Sequence, residues 1–390
     1  MVSSSKILTC LALIVAAACS AVSWAQEVNT SNPTWAQLPM KSGWLGGDAA
    51  YSVDLKDGRI LWLFGDSFVK NGARVHSAAS RKNAQFIHNS IGISTKSIQD
   101  MEYYWGSGVY GEDSFFQVPG NSGHTFFWPR DAAILKGKLY VFLLEVQIDG
   151  PQNSLDFKMP GVWVGRIENY ERSIKYWQIE YFKIDLPPSL LIGSGVFANE
   201  SDSAIYAMTN VQCKDAEAQR FCKANEATAM TRPMALARLQ LSKGQMKLDF
   251  LNKNNKYSRY KSIDDLKMIV DHGNEEMSVS FVPELNSFIM IYNDNMATPN
   301  MKPGILYRKA PAIEGPWSES KTLVEFENPY IGNRDFQNSA MPYASKGHFW
   351  IGGGKLIVTF VYNFVVNGEL IYSFDQAYVP FYKELTIEGM

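Results

Sequence analysis

The sequence predicts an all-β protein, a β-propeller of about five blades. Three observations predict it. Helical periodicity is scarce, and short apolar runs alternate with tight polar turns. The strand–turn–strand units recur roughly every 65 to 85 residues, as blades carrying loop insertions would. The first unit joins Ala49 to Leu55 with Ile60 to Phe64 across Lys56-Asp57-Gly58. The second joins Ala132 to Leu135 with Leu139 to Leu144 across Lys136-Gly137-Lys138. The third runs from about Gly195 to Asn210 and turns near Asp202-Ser203. The fourth joins Met277 to Val282 with Phe288 to Tyr292 across Glu284 to Ser287. The fifth joins His348 to Ile351 with Leu356 to Tyr362 across Gly352-Gly353-Gly354. Asp-Gly and glycine-rich turns between such runs are strong hairpin signals. Third strands are expected at Phe86 to Ser94, Val162 to Ile167, Met234 to Leu239 and Ile305 to Arg308. Closing the units in a ring would remove exposed sheet edges. A large two-sheet sandwich is the competing arrangement.

The 390-residue chain is 46% hydrophobic and 19% charged, a balance that supports a large core and argues against disorder. A formal net charge of −2 gives no basic field for nucleic acid. Aromatic residues reach 13%, which suits β-sheets and also suits stacking on sugar rings. Lys6, the apolar run Ile7 to Ala18 and the small residues around Ser23-Trp24-Ala25 read as a signal peptide over residues 1–25. That leaves a single mature domain, residues 26–390, secreted or periplasmic. A lipoprotein lipidated on Cys19 is the weaker alternative, because the residue upstream is a poor match. The apolar run is short for a membrane span, and no later stretch reads as one. Outside the leader only Cys213 and Cys222 remain. In an exported protein a pair nine positions apart in a polar segment reads as a disulfide closing a surface loop.

Carboxylates gather at the open ends of the hairpins. Residues equidistant from a turn lie opposite each other. This brings Asp48 and Asp66 together in the first unit, Asp131 and Glu145 in the second, and Glu276 near Asp294 in the fourth. In the fifth, Pro342 and Tyr343 fall near Asn363. In a propeller the starts of the first strands share one face, so Asp48, Asp131 and Glu276 are expected around one axial pocket. Third strands run parallel to the first, which adds His88, Asn89 and Arg232. Trp44 and Trp128, with Arg130, complete the set of candidate substrate contacts. Of Glu275 and Glu276 only one points inward, since neighbours on a strand face opposite sides. Several acids, a histidine and arginines beside indoles suit glycoside hydrolysis. One carboxylic acid protonates the leaving oxygen, while another carboxylate activates water or attacks the anomeric carbon. Crowding raises the pKa of one acid, which keeps it protonated near neutral pH. Structural alternatives stand beside this. Aspartates satisfy turn backbones, arginines pair with acids, and an aspartate cluster also suits a structural calcium ion. No zinc motif, P-loop or dinucleotide fingerprint is present, so no cofactor is expected.

The opening segment Gly43-Trp44-Leu45-Gly46-Gly47-Asp48-Ala49-Ala50-Tyr51-Ser52, followed by Asp57-Gly58-Arg59-Ile60-Leu61-Trp62-Leu63-Phe64-Gly65-Asp66-Ser67, resembles the domain-of-unknown-function 4185 proteins. That group includes glycoside hydrolase family 183, the endo-D-arabinanases. Trp128-Pro129-Arg130-Asp131, the segment Glu276 to Leu285, Gly315-Pro316-Trp317-Ser318 and the strand ending at Asn363 extend the resemblance over most of the mature chain. It implies a five-bladed propeller that hydrolyses D-arabinofuranosyl linkages of arabinogalactan or lipoarabinomannan in endo fashion. The family's catalytic acids would map to Asp48 and Asp66, and the hairpin reading adds Glu276 as a candidate third carboxylate. The expected partner is a polysaccharide, met by a monomeric chain. The rivals are an exo-acting arabinofuranosidase or another five-bladed furanosidase or glycosidase with a different sugar, a surface glycan-binding propeller without turnover, and a structural envelope protein.

Overall fold

The computed structural model describes residues 35–70, 81, 84–95, 97–108, 111–120, 125–148, 157–224, 232–242, 245–293, 304–326, 340–350, 354–366, 369–370 and 378–387. The expected signal peptide and Asp294 lie outside these residues. Strands dominate, and the α-helix among the described residues is Ala216–Ala224.

Short apolar runs and tight turns build the sheets as the sequence suggests, and the central strands Ile60–Phe64 and Ala204–Val211 are buried along their whole length. Tyr51–Asp54 pairs with Ile60–Phe64, which pairs with Ser90–Ser94 and then Glu102–Tyr104. Thr125–Leu135 pairs with Lys138–Ile148 across a two-residue turn, followed by Phe157–Ile167 and Ile179–Ile184. Lys136 and Gly137 both take positive φ (50° and 68°), the backbone that a two-residue hairpin loop requires. Leu190–Asn199, Ala204–Val211, Arg232–Ser242 and Gln245–Leu251 form the next sheet. Met277–Val282, Ser287–Asn293, Gly304–Ala310 and Lys321–Glu325 form another. Ala340–His348, Lys355–Val366 and Phe381–Thr386 complete the series, and the N-terminal Ala36–Gln37 adds to the outer edge of this last sheet.

The first strands of successive sheets stand side by side. Tyr51–Asp54 packs beside Thr125–Leu135, which meets Leu190–Asn199, then Met277–Val282, then Ala340–His348. Apolar clusters fill the spaces between neighbouring sheets. One cluster also joins Trp62 and Phe64 of the first sheet to Ile357 of the last.

The first strands of four of these sheets are irregular, while Met277–Val282 of the fourth pairs in unbroken register. In the first sheet the course breaks between Trp44–Gly47 and Tyr51–Asp54, where Ala49 and Ala50 take positive φ (67° and 53°). Its neighbours break beside it, at Gly65-Asp66 and at His88-Asn89. The second sheet bulges at Arg130-Asp131, the third at Gly193 and Gly195, and the last at Ala344-Ser345. A bulge bends the strand and re-aims its side chains. These breaks carry most of the polar residues gathered at the centre.

One register differs from expectation. Asp131 and Glu145 do not share an open end, because Glu145 lies opposite Phe127. The turn is centred between Lys136 and Gly137, and the bulge leaves Arg130 and Asp131 without cross-strand partners. Two further registers are one residue away from those read off the turns. The pairing of Met277 with Tyr292 puts Asn293 opposite Glu276. Asn363 faces Met341, not Pro342 or Tyr343.

Candidate active site

Asp48 and Asp66 meet where the first sheet breaks. The Asp48 amide donates to the Asp66 carbonyl at 3.2 Å, and the Gly65 amide donates to the Asp48 carbonyl at 3.2 Å. Gly65 leaves room for the Asp48 side chain, since a Cβ there would collide with Asp48 Oδ1. The hydroxyls of Tyr343 and Tyr378 both donate to Asp48 Oδ2, at 2.8 and 2.7 Å. Withdrawal from solvent, then the charges of Asp66 and Glu276, push the Asp48 carboxyl up to about 8, against the lowering effect of the two hydroxyls. At neutral pH it therefore carries a proton. With Oδ2 accepting from two tyrosines, Oδ1 is the oxygen left to hold it.

Asp66 has different surroundings. The Trp128 indole donates to its Oδ1 at 2.9 Å, and His88 Nδ1 lies 3.0 Å from the same oxygen. The His88 ring is stacked on Phe126 with centroids 3.4 Å apart. Trp128 and Phe126, two residues apart on one strand, share a face and bring the second sheet's aromatic edge onto Asp66.

Of the neighbouring glutamates, Glu275 is held in a structural network. Arg232 pairs with it at 2.7 Å and Gln212 Nε2 donates to it at 2.9 Å. Burial alone would raise its carboxyl, but Arg232, Arg130 and the hydrogen bonds outweigh burial and hold it below the usual range. Arg130 bonds to Ser194 Oγ and to the Glu275 carbonyl. Glu276 faces Lys346, whose Nζ lies 3.9 Å from Oε1, and burial raises the Glu276 carboxyl in spite of that cation.

Asp131 is buried and works as a brace. Its Oδ1 accepts from the Ala132 amide at 2.9 Å, and its Oδ2 accepts from the Val196 amide at 2.8 Å, which ties the second sheet to the bulge of the third. Burial lifts its carboxyl to about 7. Asp131 and Lys346 also line a channel of about 310 Å³ between the first strands, together with Tyr51, Ser278 and His348.

The structure thus brings together Asp48, Asp66, His88, Trp128 and Glu276, and sets Arg130, Arg232 and Asp131 behind them. Four candidate contacts take other places. Trp44 is fully buried, stacked on Tyr103 at 4.3 Å, and offers no face to a sugar. Asn89 is also fully buried. It bonds to the Phe116 amide and to the carbonyls of Phe116 and Phe127, which stitches the first sheet to the second. Glu145 binds Lys183 and the Trp163 indole, each at 2.8 Å, on the face opposite Trp128. Asn363 has no described bond to the carboxylate cluster. Tyr378 and Lys346 were not anticipated. Tyr343 was placed only relative to Asn363. All three come from the last sheet or the segment leading into its outer strand, about 300 residues from Asp48, where no local spacing rule reaches. The expected disulfide joins Cys213 to Cys222. No cluster of metal-binding side chains occurs among the described residues. No described helix is long and apolar enough to cross a membrane.

The family model described as "Domain of unknown function (DUF5005)" matches residues 37–376. No curated protein matches the chain. Among solved structures, the chain is similar to a candidate hydrolase from Bacteroides ovatus ATCC 8483. That match has 19% identity and a TM-score of 0.63, and it covers 89% of this chain and 87% of the other. It is a likeness of fold. An endo-arabinase from Bacteroides thetaiotaomicron VPI-5482 is matched at 12% identity and TM-score 0.46, over 91% of this chain and 98% of the other.

Proposed function

This chain belongs to the DUF5005 family, and from that premise and the geometry of its carboxylate cluster we propose that it is an exported glycoside hydrolase built as a closed five-bladed β-propeller. Closure is supported by contacts between the last sheet and the first. His348 Nδ1 lies 2.6 Å from Ser52 Oγ, and the Trp350 indole donates to the same oxygen at 2.9 Å. The addition of Ala36–Gln37 to the final sheet also supports it, since it joins the two ends of the chain in one blade. Export is supported by the leader-like N-terminus and the disulfide.

The observation that carries the function is the contrast between two adjacent aspartates. Asp48 holds a proton at neutral pH, while Asp66 is gripped by N–H donors. Asp48 is the general acid, which gives its proton from Oδ1 to the glycosidic oxygen as the bond to the anomeric carbon breaks. Asp66 is the partner carboxylate at that carbon, as base toward water or as nucleophile. Burial, then Asp66 and Glu276, raise the Asp48 carboxyl and favour its proton. The substrate we infer is a D-arabinofuranosyl polymer cut internally. This rests on the resemblance of the Gly43 to Ser67 segment to family 183 enzymes.

The test is incubation of the chain from Gln26 onward with mycobacterial arabinogalactan and a panel of other furanosyl and pyranosyl polymers. Products are resolved by chromatography beside Asp48→Asn and Asp66→Asn. Short oligosaccharides from the parent, lost in both folded variants, support the assignment. Turnover of another polymer alone would move the substrate. Glycan retained without turnover would replace the enzyme by a binding module. Nuclear magnetic resonance of the first-formed anomer tells nucleophile from base.

A further inference from the structure

Lys346 is a buried cation on the first strand of the last sheet. It is fully buried, and its amine makes no hydrogen bond among the described residues. A buried ammonium without hydrogen bonds is costly, so its place calls for a compensating electrostatic role. The bulge at Ala344-Ser345, with Ala344 at φ 57°, turns the strand so that Lys346 points to the axis. There its Nζ lies 4.2 Å from the Tyr51 ring centroid and 3.9 Å from Glu276 Oε1.

We propose that Lys346 is a positioning residue, the buried cation that holds Glu276 ionised beside Asp48. The proposal deepens the glycosidase reading above and rests on it. The charged and titratable groups around Lys346 come from every neighbouring first strand. Asp48 and Tyr51 belong to the first sheet, and Arg130 and Asp131 to the second. The fourth contributes Glu276 with Glu275 behind it, and His348 shares the Lys346 strand. Acids outnumber cations here. Asp131 is committed to two amides and Glu275 to Arg232, so Glu276 and Asp48 are the acids left facing the amine. The same geometry acts back on the lysine. Burial pulls its amine down to about 8 although Glu276 and Asp131 support its charge, and the amine helps to hold His348 down at about 3. The cation is therefore present at neutral pH and fades as pH rises through about 8.

Lys346→Met keeps most of the side-chain volume and deletes the charge, and Lys346→Arg restores a charge. Two readouts apply. The first is the pH profile of kcat/KM on whichever polymer the parent cleaves. Its alkaline limb, set by the Asp48 proton, is expected to move down by about 1 unit in Lys346→Met, because a Glu276 carboxyl that has lost its cation shifts up by roughly 1–3 units, takes up a proton and no longer raises Asp48, and to return toward the parent in Lys346→Arg. The second needs no substrate. The Glu276 carboxyl is followed by carbon-13 resonance, assigned by its disappearance in Glu276→Gln, and its midpoint is expected to rise in Lys346→Met. A variant with a lower melting temperature but unmoved limb and unmoved Glu276 midpoint would overturn the proposal, leaving Lys346 a packing residue. If Lys346→Met does not fold, Glu276→Gln with the Lys346 amine followed by nitrogen-15 resonance tests the same coupling from the other side. The amine midpoint must fall, and an unchanged midpoint refutes the coupling. Absence of turnover by the parent on every polymer would overturn the glycosidase reading instead, while the carboxyl titration still decides the Lys346–Glu276 coupling.

Discussion

Asp48 combines two demands that oppose each other. It must lie deep enough to keep a proton, yet a buried carboxyl flanked by Asp66 and Glu276 weakens the fold. The direction of that cost follows from linkage. Between its ordinary value of 3.8 and about 8, the folded chain holds a proton that the unfolded chain has lost. Stability therefore falls as pH rises through that window. Asp48→Asn removes the penalty. Its melting temperature should exceed that of the parent by a margin that is smallest near pH 4 and largest above pH 8, as read by thermal denaturation across that range. The same substitution should lower turnover by about 10²–10⁴-fold, the scale of a lost general acid. In the parent, kcat should decline on the alkaline side as Asp48 loses its proton near pH 8. Gly65→Ala tests the geometry without touching a titrating group. The added methyl collides with Asp48 Oδ1, so activity should fall sharply while circular dichroism stays that of a β protein.

At the scale of elements, the breaks in the strands matter more than the strands. The aligned breaks at Asp48, Asp66 and His88 turn three neighbouring strands of one sheet toward the cleft. The second sheet contributes by laying Trp128 against Asp66. Trp128→Phe keeps the ring and deletes the donor, so kcat should drop about tenfold with little change in melting temperature, as expected for one hydrogen bond to a carboxylate. The helix Ala216–Ala224 is fastened by the disulfide and by Glu217, which accepts from the Ile263 amide at 2.7 Å. It follows Gln212, the residue that steadies Glu275. Replacing both cysteines by serine should cost roughly 2–3 kcal/mol of stability, measured by denaturant titration with and without reductant.

At the scale of the whole molecule, the first and last described strands pair with each other. Trp35 packs edge-on against Phe360 at 4.7 Å, and Ala36–Gln37 pairs with the last strand. Removing residues through Gln37 should expose that sheet edge and lower the melting temperature, with a greater tendency to aggregate. The contact between the first and last sheets also serves the candidate site. Tyr343 and Tyr378 come from the end of the chain and hold an aspartate near its beginning.

The hairpins were legible because each is written locally. Asp57-Gly58 between two apolar runs specifies a turn, and the continuous apolar run Ile60 to Phe64 specifies a strand buried on both faces. Counting outward from that turn found Asp48 and Asp66. The same count failed for Asp131 and Glu145, because a bulge adds an unpaired residue that no turn signal announces. Asn89 was read as a substrate contact because third strands start on the same face as first strands, and Trp44 because it is an indole close to Asp48, yet both are sealed inside. Strand order, turns, the disulfide pair and the aspartate pair thus follow from short-range chemistry, in which each residue is constrained by a few neighbours along the chain. The burial that raises Asp48, the two tyrosines on its Oδ2 and the cation beside Glu276 were decided only by the tertiary structure. Solvent exclusion and Coulomb coupling depend on which distant strands come to lie side by side, and that information is spread over some 300 residues.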